Sequence, residues 1–267
     1  MENINENKYA IGSVEKALSV IEVLAHHPEG IQLKEISKIL NMTKTTAFRI
    51  LYTLQTNGFL YPPDNGIYKL NYKFPSLFSN FSNRDTKKFA DKYLPELARI
   101  TGFIPFFYLQ DGNYSFCLTK YDVNKVIKIN VNAGDRVPLH STSGGKIFLA
   151  AMKDEQLVQW IKSNTLVRKT SQTITDPDEL YKNIQEVKRQ GYSVNNMENE
   201  DNVLSVAAPV HNYEGQVIAS VNVSDTILDF KPEQIPEISR TVIDYANKIS
   251  AEFGYDPKAF SSPFPVD

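Results

Sequence analysis

The 267-residue sequence has a single cysteine, Cys117, so it can form neither an internal disulfide nor a thiolate zinc site. Cys117 lies in an apolar, strand-like run from Tyr114 to Thr119, which marks it as a buried structural thiol rather than a nucleophile. No run approaches the roughly 20 apolar residues that a membrane span needs. Residues 1–10 are polar, with Glu2 and Glu6 where a signal peptide would have basic residues followed by an apolar stretch. The chain therefore reads as cytoplasmic, with no membrane partner. His140 and His211 are too few to anchor a metal, even with oxygens from Glu198, Glu200 and Asp201, so neither a metal nor a cofactor is expected.

Acidic residues are missing from one stretch in particular. The formal net charge is −2, which argues against coating nucleic acid by bulk charge. Residues 1–75 hold eight lysines and arginines against seven acids, a balance of only +1. Yet no carboxylate occurs from Ile36 to Pro63, where Lys38, Lys44 and Arg49 fall. A surface that faces phosphates needs such a local absence of carboxylates more than a high isoelectric point.

That stretch lies in a run of helical patterns. Ser13 can cap a first helix whose apolar positions, Val14, Ala17, Leu18, Ile21, Leu24 and Ala25, recur at three- and four-residue steps. His26, His27 and Pro28 stop it, and Glu29-Gly30 makes a turn. Leu33, Ile36, Ile39 and Leu40 stripe a second helix, which Asn41 can end because asparagine tolerates left-handed dihedrals. Thr43 caps a third helix, about Lys44 to Asn57, with Ala47, Ile50, Leu51 and Leu54 inward. Lys44, Thr45, Thr46, Phe48, Arg49, Tyr52 and Thr53 are left on its outer side. Two short helices in which the second presents cations and hydroxyls at its N-terminal end suit insertion into a major groove: Arg49 for guanine edges or phosphate, and Thr43, Lys44, Thr45 and Thr46 for phosphate or mixed contacts. A plain three-helix bundle with a solvated face has the same pattern. The next residues favour the first reading. Phe59-Leu60-Tyr61 and Ile67-Tyr68-Lys69-Leu70 read as strands around a dense turn signal at Pro62 to Gly66, a wing whose tip and Lys69 could lie along the sugar-phosphate backbone.

Phe74, Leu77, Phe78 and Phe81 are again helix-spaced, as a dimer seam or as a cover for their own domain. A further helix, Asp85 to Thr101, carries Phe89, Tyr93, Leu94, Leu97 and Ile100 and ends at Gly102. Beyond it the chain reads as strands at Ile104 to Gln110, Tyr114 to Thr119 and Val126 to Val131, then helices at Gly145 to Met152, Glu155 to Ser163 and Pro177 to Gln190. Strands follow at Tyr192 to Asn195, Ser205 to Val210 and Gln216 to Ser224, then a long helix from Pro232 to Phe253. The expected fold is α+β, with a mostly antiparallel sheet flanked by helices in the C-terminal domain. The divisions expected are 1–71, a winged helix-turn-helix; 72–101, a helical linker or dimerisation segment; 102–255, the sensing domain; and 256–267, a tail that is loosely held from Ser261 to Asp267.

The segment His140-Ser141-Thr142-Ser143-Gly144-Gly145-Lys146 invites two catalytic readings. A phosphate-cradling loop needs glycine where His140 stands and Ser or Thr where Ile147 stands, so that match fails at both ends. A Ser-His nucleophile pair would need a third orienting group and a strand-turn-helix elbow of the G-x-S-x-G kind, which is absent. An enzyme acting through His140 to Ser143 behind an N-terminal interaction module is nevertheless the alternative to a regulator. Ser-Gly-Gly opening a helix can also offer backbone N–H groups to a carboxylate or phosphate, or simply let a helix pack closely.

Four stretches give the chain its resemblance to the IclR family of bacterial transcriptional regulators. They are Ser13-Val14-Glu15-Lys16-Ala17-Leu18, Thr45-Thr46-Ala47-Phe48-Arg49-Ile50-Leu51, Pro138-Leu139-His140-Ser141-Thr142-Ser143-Gly144-Gly145-Lys146, and Ser205-Val206-Ala207-Ala208-Pro209-Val210 with Gly215. The resemblance implies a winged-helix domain, a GAF-like effector domain, and dimers or dimers of dimers that bind double-stranded operator DNA and respond to a small metabolite. It also implies an effector pocket of Ser143, Gly144, Asn195 or Asn196, Ser205, Asn222 and Ser224, with Val126 and Ile129 as its apolar wall. Asn202, Leu204 and Asn195-Asn196 depart from the family pattern of glycine, arginine and acids. A pocket of Asn and Ser without an arginine fork suits hydroxyls, with an anionic group left to the backbone near Gly144, so a sugar acid or similar carboxylate is expected.

Overall fold

The computed structural model describes residues 10–71, 73, 84–123 and 129–265. It divides into two compact units, at Arg84 and Asp85.

In the first unit, α1 (Gly12–Ala25), β1 (Ile31–Gln32), α2 (Leu33–Ile39), α3 (Lys44–Thr56) and β2 (Ile67–Tyr68) surround a core of Val20, Leu24, Ile31, Ile36, Ala47, Leu51, Leu54, Leu60 and Tyr68. Asn41 takes a positive φ of 46° between α2 and α3, and the Thr43 side chain accepts the Thr46 N–H, as expected of a stop and a cap. Four expectations are corrected. α1 starts at Gly12 after Ile11, so Ser13 lies inside it and caps nothing; Val20 takes a core position, while Val14, Leu18 and Ala25 are exposed. Ile39 is exposed too. The wing is built differently: Leu60 and Leu70 form only an isolated bridge, and the ladder is Ile31 opposite Tyr68 and Gln32 opposite Ile67. Gly30 is what lets the chain pass there, because a Cβ on it would fall 2.4 Å from Ile67 Cγ2 and 2.6 Å from Lys69 Cγ.

The second unit is a three-layer α+β structure. Its antiparallel sheet runs β5-β4-β3-β8-β7-β6, from β3 (Ile104–Asp111), β4 (Tyr114–Lys120), β5 (Arg136–Pro138), β6 (Ser193–Asn196), β7 (Val203–His211) and β8 (Val217–Thr226). Because side chains alternate along a strand, Leu204, Val206, Ala208 and Val210 of β7 and Ala219, Val221 and Val223 of β8 share one face. They pack against Leu94 and Leu97 of α4 (Arg84–Thr101) and Val242, Tyr245 and Ile249 of α8 (Ile235–Glu252). The other face is covered by α5 (Ser143–Ala150), α6 (Asp154–Ser163) and α7 (Pro177–Gln190), through Ile147, Leu157, Leu180 and Ile184 among others. α7 has the expected bounds, and Asp176 Oδ1 accepts the Glu179 N–H at 2.8 Å.

α4 contributes to the second core, and the division at residues 84 and 85 falls inside the segment 72–101 read as a linker or dimerisation segment. Ile100 is exposed on α4. The tail is also firmer than expected. Phe264 is buried in the sheet core, Tyr255 stacks between His211 and Phe260, and His211 Nε2 donates to the Pro263 carbonyl at 2.7 Å. Burial pushes the His211 imidazole below its usual range, which keeps that donor neutral. The phenylalanines expected at 74–81 and the first half of the strand expected at Val126 to Val131 lie outside the described residues, and Ile129 to Val131 are not part of a strand. Among the described residues, no helix is long and apolar enough to cross a membrane.

Candidate effector pocket and nucleic-acid face

The face of the sheet under α5 is unusual because its central strands are polar. Ser220, Asn222 and Ser224 on β8 alternate with the apolar residues of the opposite face, and all three are buried. The antiparallel register places Ser205 opposite both Ser224 and Asn195, Asn222 opposite Ala207 and Phe106, and Ser220 opposite Tyr108. The N-terminal turn of α5 lies over this row. Ser143 Oγ is 2.8 Å from Ser205 Oγ and accepts from Asn222 Nδ2 at 3.2 Å, and the same amide donates to Ser224 Oγ at 3.2 Å. A Cβ on Gly144 would fall 2.9 Å from Ser220 Oγ and 3.1 Å from Tyr108 Cδ2, so its backbone borders the row. Among the described residues, Asn222 Oδ1 and Ser220 Oγ are buried without a hydrogen-bond partner, a costly state that solvent or a ligand would relieve.

The fold therefore brings together Ser143, Gly144, Asn195, Ser205, Asn222 and Ser224, and buries Ile129 in the adjoining apolar cluster. Val126 lies outside the described residues. Asn196 does not join them: it is exposed, one pleat away from Asn195 and opposite Leu204. Ser193, Tyr108 and Ser220, which the motif reading missed, do join; Ser193 Oγ donates to the Ser143 carbonyl at 2.6 Å. Strand alternation counted back from Asn195 and Asn222 would have found Ser193 and Ser220. The Thr142 hydroxyl caps α5 by accepting the Gly145 N–H at 3.2 Å, which withdraws that N–H from any anion-binding role.

An ion pair ties this helix to the neighbouring turn. Lys146 and Glu198, 0% and 8% exposed at the side chain, meet at 2.6 Å, and Lys146 Nζ also donates to the Val194 carbonyl at 3.2 Å. Burial pushes the Lys146 ammonium down and the Glu198 carboxyl up from their ordinary values, while each charge pulls the other back. The pair's turn also holds Asn195, whose Oδ1 accepts the Glu198 N–H at 2.7 Å, and the Thr173 hydroxyl donates to the Glu198 carbonyl at 2.7 Å.

In the first unit, Lys44, Thr45 and Arg49 are exposed on α3, with Phe48 and Tyr52 beside them. Thr43 and Thr46 are engaged with each other, hydroxyl to hydroxyl at 2.9 Å, so their first role is to shape the start of the helix. Lys69 stands at the base of the wing, 3.6 Å from Glu29, in a solvent-exposed pair of little energetic weight.

Two family models match this chain: the IclR helix-turn-helix domain over residues 13–63 and the bacterial transcriptional regulator IclR C-terminal domain over residues 78–251. The chain belongs to the IclR family. This IclR-family chain is 28% identical over 252 residues to the HTH-type transcriptional regulator KipR of Bacillus subtilis, covering 94% of this chain and 99% of that one. It is similar to the crystal structure of the Thermotoga maritima IclR, with a TM-score of 0.76 and 27% identity over 92% of this chain and all of the other. An IclR homolog from Microbacterium hydrocarbonoxydans complexed with 4-hydroxybenzoate shares the fold, with a TM-score of 0.75 and 17% identity over 91% and 99% of the two chains.

The family is one of DNA-binding transcription regulators and not of enzymes. In the IclR motif His140 Nε2 lies 3.1 Å from the Val167 carbonyl, and Ser141 donates to Asn199. Cys117 is fully buried, and burial pushes its thiol up to about 12, where no thiolate nucleophile forms at neutral pH.

The glycine pair of the IclR motif divides its work. A Cβ on Gly145 would fall 2.4 Å from both Cα and O of Leu139, which are backbone atoms, whereas Gly144 meets side chains that can move. Alanine gains about 1 kcal/mol over glycine inside a helix, too little to offset a clash with fixed backbone that costs about 1–3 kcal/mol or more. Gly145→Ala is therefore expected to melt well below Gly144→Ala by differential scanning fluorimetry. Equal melting temperatures would remove the close-packing role from Gly145.

Proposed function

We propose that this protein is a ligand-responsive repressor of a catabolic operon, a dimer or dimer of dimers that releases operator DNA on binding a hydroxylated carboxylate such as a sugar acid. The observation that carries the ligand class is the buried row of Asn195, Ser205, Asn222 and Ser224 beneath Ser143, with Asn222 Oδ1 and Ser220 Oγ lacking partners among the described residues. Hydroxyl and amide groups in an apolar enclosure select ligand hydroxyls by direct hydrogen bonds. Phe106, Tyr108 and Ile129 supply apolar contacts, and the backbone at Gly144 receives the carboxylate. The 4-hydroxybenzoate complex of a fold neighbour supports the carboxylate class.

DNA contact falls to Lys44, Thr45 and Arg49, with Thr43 and Thr46 shaping the helix start and Lys69 reaching backbone phosphate. Repression needs only that the bound protein occlude a promoter. Ligand binding under α5 shifts the population between two assemblies that hold their recognition helices at different separations.

The test is calorimetric titration with a panel of sugar acids, aromatic acids and apolar aromatics, followed by gel mobility shift on the fragment upstream of the protein's own gene. Binding of hydroxylated acids, weakened in Asn222→Leu and accompanied by release of the fragment, is expected. Binding of purely apolar aromatics alone, or constant DNA affinity at saturating ligand, would contradict the reading.

A further inference from the structure

α3 carries more apolar surface outward than its own unit can use. Ala47, Leu51 and Leu54 fill its buried face, yet Phe48 and Tyr52 stand 49% and 58% exposed. They flank Arg49 and continue Thr45 at three- and four-residue spacing, so Thr45, Phe48, Arg49 and Tyr52 form one outward stripe. The two rings lie 6.2 Å apart with an interplanar angle of 28°, so Tyr52 backs Phe48 and restricts where its ring can swing. Two adjacent exposed aromatics on a short helix call for an occupant.

The surroundings name the occupant's chemistry. The stripe includes a guanidinium, Lys44 is exposed one turn away, and residues 36–63 contain no carboxylate. An apolar partner surface would meet Arg49 unpaired, whereas a duplex groove meets it with phosphates and base edges. Phenylalanine has no donor or acceptor, so it reads none of the hydrogen-bonding edges in the major groove. The apolar group that the groove presents is the C5-methyl of thymine.

We infer that Phe48 is a specificity-determining residue: its ring packs on a thymine C5-methyl beside the base or phosphate met by Arg49, and Tyr52 holds that ring in place. This rests on the DNA-binding reading of α3 above.

The experiment replaces each thymine of a bound promoter fragment by deoxyuridine, which removes the methyl and keeps every hydrogen-bonding edge, and measures affinity for the full chain by fluorescence anisotropy. Wild type is expected to lose about fourfold at one or two thymine positions, the worth of burying one methyl-sized group. In Phe48→Ala those positions become insensitive, and in Phe48→Leu part of the sensitivity returns; because Phe48 lies outside the core, both variants should melt with wild type. A wild type that binds tightly but ignores every substitution, or a Phe48→Ala variant that keeps the same sensitive positions, overturns the role of Phe48 and leaves DNA binding standing. Failure of wild type to bind any duplex in low salt overturns both.

Discussion

Lys146→Met is expected to cost the fold about 3–5 kcal/mol at neutral pH, because it leaves the Glu198 carboxylate in a dry site without its cation. Lys146 is wholly buried and Glu198 nearly so, and methionine keeps most of the lysine's length, so the loss is one of charge rather than volume. The pH dependence has a definite sign. Glu198 already holds its proton more tightly than an ordinary carboxyl because of burial, and removing Lys146 removes the charge that pulls it back. A carboxyl whose folded value is raised binds more protons when folded, so its contribution falls as pH rises through the interval between the unfolded and folded values. The deficit of Lys146→Met relative to wild type should thus be smaller at about pH 5 than at about pH 8. Lys146→Met with Glu198→Gln should recover much of it, since replacing both charges avoids the stranded one. Thermal melts across that range check this; a deficit independent of pH, or a double variant as unstable as the single, would show that the pair's electrostatics do not matter. Effector affinity should fall with it, because the same turn positions Asn195.

Arg49→Ala is expected to weaken binding to the specific operator by about 1–3 kcal/mol, or roughly 5–150-fold, if the guanidinium pairs with a guanine edge. Arg49 is exposed and packs against no core, so its removal should leave the melting temperature unchanged. Competition between operator and random duplex decides its role. A loss confined to the operator assigns base reading, and an equal loss on both assigns phosphate contact. No loss on either would take Arg49 out of the interface.

Local chemistry was the part of this fold most legible in the sequence. Thr43 and Asp176 cap the helices assigned to them, and Asn41 adopts the left-handed turn, because caps and turns depend on one to four neighbouring residues. β3, β4, β6, β7 and β8 were legible to within a few residues from their apolar alternation and flanking turns, whereas the strand expected at Val126 to Val131 is not one at Ile129 to Val131. Periodicity failed where several faces of a helix were apolar: in α1 both Val14 and Val20 fit a stripe, and packing by Leu24 and Ala47 selected Val20. β1 and β5, two and three residues long, carry too short a pattern to register. Composition misled for the tail, whose prolines suggest looseness while Phe264 and His211 anchor it.

The candidate site was legible as motifs but not as geometry. Asn195 and Asn196 are equal in sequence, and only the pleat, fixed by pairing with Ser205 and Leu204, separates them. Lys146 and Glu198 lie 52 residues apart, beyond the reach of any local rule.

The central claim is that the acid-free outer face of α3 enters duplex DNA. Titrating the full chain with the fragment upstream of its gene, by anisotropy over a series of salt concentrations, tests it most directly. The expected result is tight binding in low salt that falls linearly in log affinity against log salt and exceeds that for random duplex. Absence of binding to that fragment in low salt, with and without the metabolite panel, would contradict it.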